Sequence, residues 1–147
     1  MNTRLNLIVI TLLFNFGCAS LGPKFTRPEM PAEGKAKLYF YRESNFRGGG
    51  VSCKVNDLEE KSKVVNVSNG GFYHLDIPAQ SKVFFVEQLF GKLPGEDRVN
   101  ISLEEGQTAF VKCIIKLSPN GGIPVLSVIE SDVALEEIKE CHQIMLK

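Results

Sequence analysis

The sequence predicts a mainly β protein, a β-sandwich of about seven to eight strands with one C-terminal α-helix. From residue 37 onward, apolar residues alternate with polar ones over short runs, which is the period of a β-strand. Gly, Pro and Asn separate these runs at intervals of roughly 8–12 residues, as in β-sandwiches. Helical periodicity is confined to the C-terminal segment, so helices do not alternate with strands as they would in a βαβ fold.

Eight runs of alternating or continuous apolar residues are the basis for predicting seven to eight strands. They span residues 37–41, 51–55, 63–67, 72–77, 81–90, 98–103, 108–117 and 123–130. The run 81–90 is almost continuously apolar, which predicts a strand covered on both faces. Asn69-Gly70 and the tetrapeptide from Pro119 to Gly122 predict hairpin turns, because Asn-Gly adopts positive φ at little cost.

One helix is predicted over residues 133–142. Leu135 and Ile138 fall on one stripe of this helix, and its charged residues fall on the other. Ser131 or Asp132 can cap the first turn. A helix with one apolar face must bury it, so we expect this helix to pack on the sheet or at its end.

The first 17 residues have the composition of an export signal. Arg4 precedes an apolar run over residues 5–16, and small residues follow that run. As a helix the run would span about 18 Å, which is less than the roughly 30 Å of a hydrocarbon core. Residues 1–17 are therefore predicted to be a signal peptide rather than a permanent transmembrane anchor.

Cys18 is the predicted lipidation site. The sequence Gly17-Cys18-Ala19-Ser20 resembles the lipobox of bacterial lipoproteins, in which the signal is cut before a cysteine that carries diacylglycerol through a thioether. The two residues before Gly17 depart from the Leu-like and small residues usual in that motif. The alternative is cleavage after Ala19, which would release a soluble secreted protein.

Residues 18–36 are predicted to be the lipidated cysteine and an extended linker. Pro23, Pro28 and Pro31 interrupt this segment, which shows neither strand nor helix period. In polyproline II geometry, residues 19–36 would extend on the order of 50 Å and hold the domain clear of the membrane. The predicted domain is residues 37–147.

Composition excludes some classes of function. The chain has 17 basic and 17 acidic residues, so it lacks the basic excess that is typical of nucleic-acid binding. It has no Trp and only 3 Tyr to stack on bases. We therefore expect no nucleic-acid partner.

Few side chains are spaced for catalysis or metal binding. His74 and Asp76 share a strand face, but their Cα atoms should be about 6.6 Å apart, and no G-x-S-x-G motif supplies a nucleophile. Cys141 and His142 are adjacent on the predicted helix and should point about 100° apart, which does not suit binding of one ion. We expect no catalytic residue, no metal and no cofactor.

Three cysteines remain if Cys18 is lipidated, namely Cys53, Cys113 and Cys141. An exported protein meets an oxidising space, where any one pair of them can form a disulfide. The alternative is that Cys53 and Cys113 are small buried hydrophobic residues, since both fall among inward-facing apolar positions.

The loop over residues 42–50 is the candidate binding site. Its glycines allow close backbone approach, its two arginines can pair with carboxylate or phosphate, and its phenylalanine offers an exposed ring. An anionic envelope component or an acidic patch on an envelope protein suits this chemistry, and the alternative is a flexible connector. For Arg42 the alternative is a structural role at the end of its strand. The candidate residues are Arg42, Asn45, Phe46, Arg47, Gly48, Gly49 and Gly50.

An ordered set of motifs covers residues 34–142. It comprises GKAKLYFYR at 34–42, NF at 45–46, GGGV at 48–51, NGGFY at 69–73, LDIP at 75–78, EGQT at 105–108 and ALEEIKEC at 134–141. This set resembles the DUF2846 domain of bacterial lipoproteins, whose function is undefined, with departures at Glu43 and after Pro78. The resemblance implies an immunoglobulin-like or PEGA-like β-sandwich on a lipoprotein tether, and it implies no catalytic residues.

These features predict an exported lipoprotein of the cell envelope, anchored by lipid to the outer membrane. Its domain is expected to be a non-enzymatic binding or envelope-structural module. The alternatives are a secreted soluble interaction module and a small cell-envelope hydrolase.

Overall fold

Two β-sheets and one helix make up the fold, which confirms the predicted β-sandwich class. The computed structural model describes residues 21–146, so Cys18 and the predicted signal peptide lie outside the described residues. In chain order the elements are β1 (Leu21–Lys24), β2 (Lys35–Tyr41), β3 (Cys53–Asp57), β4 (Ser62–Val67), β5 (Gly71–Pro78), β6 (Ser81–Val86), β7 (Arg98–Ser102), β8 (Thr108–Ser118), β9 (Gly121–Ile129), α1 (Ser131–Ile138) and β10 (His142–Ile144). Within the described range, no helix has the length and apolar character needed to cross a membrane.

The larger sheet has six strands in the order β1-β10-β5-β2-β8-β9, and the smaller has four in the order β4-β3-β6-β7. Most neighbouring strands are antiparallel, but β2 with β8 and β5 with β10 are parallel pairs. Because β2 lies inside the larger sheet, both of its faces are buried. Leu38 and Phe40 face the smaller sheet, whereas Tyr39 and Tyr41 face outward toward α1.

The main core lies between the two sheets. Strand alternation supplies it, because every second residue of β3, β6 and β7 is buried. Its buried side chains come from both sheets and include Leu38, Phe40, Val55, Val65, Phe84, Ile101, Val111 and Leu126.

A second, aromatic core lies on the outer face of the larger sheet. Ala134 and Ile138 of α1 are fully buried there. Phe25 packs edge-on against Phe72 and Tyr39, with ring centroids 5.4 and 6.0 Å apart. This core fixes both the helix and the N-terminal segment to the sheet.

The predicted linker is wrong for residues 21–25 and 35–36, which form β1, a buried aromatic contact and the start of β2. Leu21–Lys24 forms β1 and pairs with β10 at the sheet edge, and Phe25 is only 7% exposed. The Glu29 N–H donates to Tyr39 Oη at 2.8 Å. The sequence does not reveal β1, because four residues are too few to show a period. Burial of the Phe25 ring stabilises this segment on the sheet. Among the described residues, Leu21–Lys24 therefore belongs to the folded domain rather than to a linker.

The predicted boundaries of three other elements also change. β6 ends at Val86, so residues 87–90 belong to a loop. Asn69-Gly70 turns the chain from one sheet to the other rather than forming a hairpin, because β4 pairs with β3 whereas β5 pairs with β2. The helix ends at Ile138 rather than at residue 142, since residues 142–144 form β10 and pair with β5. Its N-cap is Glu130 rather than the predicted Ser131 or Asp132, and it makes no side-chain capping bond. The hairpin at residues 118–121 is confirmed.

Two lysines are buried with carboxylate partners. Lys82 Nζ lies 2.6 Å from Asp57 Oδ2 and 2.8 Å from Glu60 Oε1. Lys37 Nζ lies 3.1 Å from Asp76 Oδ1. Burial raises the pKa of Asp57, but hydrogen bonds from Lys82 and from two backbone N–H groups outweigh it, so the net pKa is lowered.

Stability is expected to fall in two stages as the pH decreases. Burial lowers the pKa of His74 below its ordinary 6.5, so the unfolded chain binds that proton first and stability begins to fall below about pH 6.5. The pKa values of Asp57, Asp76 and Glu137 are also lowered, so their contribution is present above their ordinary pKa of 3.8 or 4.5 and is lost as the pH falls through the lower folded values. Urea unfolding between pH 8 and pH 3 measures both stages. A free energy of unfolding that stays constant between pH 8 and pH 3 would contradict the lowered pKa values of these four side chains.

Candidate functional site

Three loops converge at one end of the sandwich, which we call the loop end: residues 42–52, 87–97 and 118–121. Gly122 approaches Val51 so closely that a Cβ there would lie 2.6 Å from Val51 Cγ2. Gln88 Nε2 donates to the Pro124 carbonyl at 3.0 Å. A Cβ on Gly121 would lie 2.9 Å from the Phe90 ring. The loop end is therefore built from both sheets.

Arg42 lies inside the candidate loop and shapes it. Its side chain is buried, and its Nη1 and Nη2 donate to the carbonyls of Val51 and Gly48 at 2.5 and 2.6 Å. Burial lowers the pKa of its guanidinium. Of the two predicted roles of Arg42, the structure favours the structural one over ligand contact, because both terminal nitrogens already bind the loop backbone and little of the side chain reaches solvent.

Asn45 organises the tip of the loop. Its side-chain Oδ1 accepts the Arg47 N–H at 3.0 Å, and its own N–H donates to Asn69 Oδ1 at 3.0 Å. These bonds turn the chain so that the side chain of Phe46 is 101% exposed. An uncovered aromatic ring at a fixed loop tip is the kind of residue that anchors an interface.

The three glycines of the loop differ in their roles. Gly48 has φ of +78°, and a Cβ there would lie 2.9 Å from Ile115 Cγ2, so this position requires glycine. Gly49 lies close to the backbone of the same loop. A Cβ on Gly50 would meet no atom within 4 Å. Gly50 is therefore the loop position that tolerates a larger side chain.

Arg42→Met is expected to lower the free energy of unfolding by about 2–3 kcal/mol, because two carbonyls lose charge-assisted hydrogen bonds. Arg47→Met is the matched control in the same loop, and since Arg47 is exposed its change should stay within about 0.5 kcal/mol. Urea unfolding monitored by circular dichroism measures both. Equal effects of the two substitutions would contradict the structural role of Arg42.

A disulfide supports the base of the loop end. Cys53 on β3 and Cys113 on β8 are bonded, with Cα atoms 6.6 Å apart, so the bridge joins the two sheets. This is one of the pairs the sequence left open, and both residues face the core as predicted. Cys141 is free and buried, and burial raises the pKa of its thiol to about 11.

Several exposed apolar residues at the loop end were missed by the sequence prediction. Leu89 is 73% exposed, and Phe90 and Leu117 are also exposed. Leu117 lies in β8 as predicted, whereas Leu89 and Phe90 had been assigned to a strand but lie in a loop. Gly91 and the Pro94-Gly95 pair were the signals that a loop begins near this point. Beside these residues lies a cleft of 440 Å³, which we call the apical cleft. Its apolar wall comprises Val51, Leu89, Phe90, Gly122 and Pro124.

The cations of the loop end are not all neutralised. Every carboxylate in its loops has a basic partner, whereas Arg47 and Lys92 have no ion pair among the described residues. The ion pairs are Glu43 with Lys112, Glu87 with Lys54, Glu96 with Lys116 and Asp97 with Arg98. Arg47 and Lys92 are therefore exposed-loop cations without an ion pair, and they share their loops with exposed apolar side chains.

His74 and Asp76 are not paired with each other. His74 Nε2 lies 3.5 Å from Glu29 Oε1, and Asp76 Oδ1 contacts Lys37 and the Ala32 N–H. Asp76 therefore helps to hold the N-terminal segment on the sheet, and His74 lies beside that segment. Over residues 21–146, no group of three His, Cys, Asp or Glu side chains is arranged to hold a metal ion.

Comparison with protein-family models and with curated proteins found no match to this chain. Membership of the DUF2846 family stays a prediction.

Proposed function

We propose that this chain is an exported lipoprotein, tethered to the outer membrane through Cys18, whose β-sandwich is a non-enzymatic binding module with the loop end as its recognition surface. The observation that carries the proposal is the concentration of exposed apolar side chains and unpaired cations on three loops at one end of the fold. Loops positioned by a rigid scaffold commonly carry binding function.

The disulfide supports the export part of the proposal. Disulfides persist in oxidising spaces such as the bacterial periplasm and the cell surface, and they are rare in the cytosol. The bond between Cys53 and Cys113 lies in the core between the sheets, where it stabilises an exported domain.

The position of β1 limits the length of the proposed tether. Only Ala19 and Ser20 separate Cys18 from the start of β1 at Leu21. Three residue steps span at most about 10 Å. The domain would therefore lie directly beside the membrane rather than on a long spacer.

We expect cells fed an alkyne-tagged fatty acid to label the wild-type chain, and Cys18→Ala to abolish that label and release the protein from the detergent phase. Cys141→Ala is the matched control, because it removes a cysteine but should leave the lipid in place. Labelling that persists in Cys18→Ala would contradict the tether. An unlabelled chain that is nevertheless secreted would favour the soluble interaction module.

A further inference from the structure

We propose that the apical cleft binds an apolar side chain carried on an acidic segment of a partner protein, with Arg47 and Lys92 pairing with the carboxylates of that segment. This inference deepens the proposed function and rests on it, since it assigns the chemistry of the partner to the recognition surface already described.

The shape and lining of the cleft suit a side chain. Its 440 Å³ falls within the roughly 300–1,000 Å³ range of ligand pockets. Val51, Phe90 and Pro124 make its wall apolar, and Leu89 stands exposed at its rim. The carboxylate on the wall, Glu87, lies 3.8 Å from Lys54 and is thus balanced. An aliphatic or aromatic group entering this cleft would exchange water for apolar contacts.

Charge complementarity gives the sign of the partner. Arg47 precedes Gly50 by three residues and Lys92 follows Phe90 by two, so each cation stands on a loop that supplies residues to the cleft, although neither is part of the cleft wall itself. Neither has a carboxylate partner in the part of the chain that the structure describes. Carboxylates on a partner would supply those ion pairs, increase the association rate and disfavour basic competitors.

The position of the tether favours a protein over the lipid surface as the occupant. Leu21 lies in β1, at one edge of the six-stranded sheet, whereas the hairpin at residues 118–121 follows β8 and leads into β9 at the other edge. Five strand spacings separate those edges, which is about 24 Å. A lipid on Cys18 would hold the β1 edge at the membrane and leave the hairpin side of the cleft open to another protein.

The first test is selection of random displayed peptides on the full-length lipoprotein in detergent micelles. The variant Gly50→Phe, which adds a large side chain at a residue that lines the cleft, serves for depletion, because a Cβ at that position meets no atom within 4 Å. Circular dichroism checks that its fold is retained. We expect the peptides retained only by the wild type to share one large apolar residue flanked by Asp or Glu. Enrichment of neutral or basic peptides, or equal retention by Gly50→Phe, would overturn the proposal.

The second test compares two charge reversals on one selected peptide. Arg47→Glu should raise the dissociation constant of the peptide about tenfold, which corresponds to about 1.4 kcal/mol. It should also reduce the salt dependence of peptide binding. Lys63→Glu is the matched control, because this substitution makes the same change in charge. Lys63 is exposed on β4, far from the loop end. Equal weakening by both substitutions would overturn a specific role for Arg47.

The third test asks whether the loop end contacts lipid instead. The chain has no Trp, so Phe46→Trp introduces a single fluorophore at the loop tip. In vesicles containing brominated lipid, we expect its emission to be unquenched and to shift when a selected acidic peptide is added. Quenching by the brominated chains would assign the loop end to the membrane and overturn the protein partner, while leaving the Cys18 tether standing.

Discussion

Asp57→Ala is expected to lower the free energy of unfolding by about 3–5 kcal/mol, because it leaves the Lys82 ammonium buried without its closest partner. The Lys82 side chain is only 6% exposed, and its remaining partner, Glu60, is largely exposed. The substitution also removes the acceptor for the N–H groups of Glu59 and Glu60, which Asp57 Oδ1 holds at 2.9 and 3.0 Å. Urea unfolding at pH 7 measures the loss.

Two further variants separate the ion pair from the turn. Asp57→Asn keeps an oxygen for the two N–H groups but removes the charge, so its loss reports mainly on Lys82. Adding Lys82→Met to Asp57→Asn replaces the buried cation with an apolar chain of similar length and should recover most of the lost stability. A double variant that is less stable than Asp57→Asn alone would contradict this explanation.

Removing the disulfide is expected to cost a similar amount. Cys53 and Cys113 are separated by 60 residues, and opening a loop of that length releases chain entropy worth about 4 kcal/mol in the unfolded state. The Cys53→Ala/Cys113→Ala variant should therefore unfold at a much lower urea concentration. Reduction of the wild type in dithiothreitol should shift the midpoint in the same direction.

Cys141→Ala provides the control for lost sulfur volume. Cys141 is buried but free, so its truncation should cost only about 1 kcal/mol, through a small cavity. If the double variant were no less stable than Cys141→Ala, the bridge would not be a major source of stability.

Alternation was enough to predict the fold class, because a half-buried strand repeats every two residues. In β2, which the alternation placed at residues 37–41, Leu38 and Phe40 lie on one face and Tyr39 and Tyr41 on the other. Alternation failed for β1 and β10, which have four and three residues and depend on pairing at the edge of a sheet. Short edge strands are defined by their neighbours rather than by their own composition.

The candidate site was predicted only in part, for a similar reason. The composition of residues 42–50 drew attention to the loop, and Phe46 and Arg47 are exposed as expected. The burial of Arg42 depends on carbonyls that only the folded loop brings to it. The apical cleft depends on three segments far apart in sequence, so local pattern could not reveal it.

The central claim is that the loop end of a membrane-tethered domain recognises a partner, and site-specific photo-cross-linking in intact cells tests it most directly. A benzophenone side chain would replace Phe46 at the loop end, or Lys63 on β4 as the control, in the full-length chain. We expect position 46 to give a discrete protein adduct in the membrane fraction, one that Arg47→Glu weakens, and position 63 to give none of that mass. Failure to form an adduct at position 46, or the same adduct from both positions, would contradict the claim.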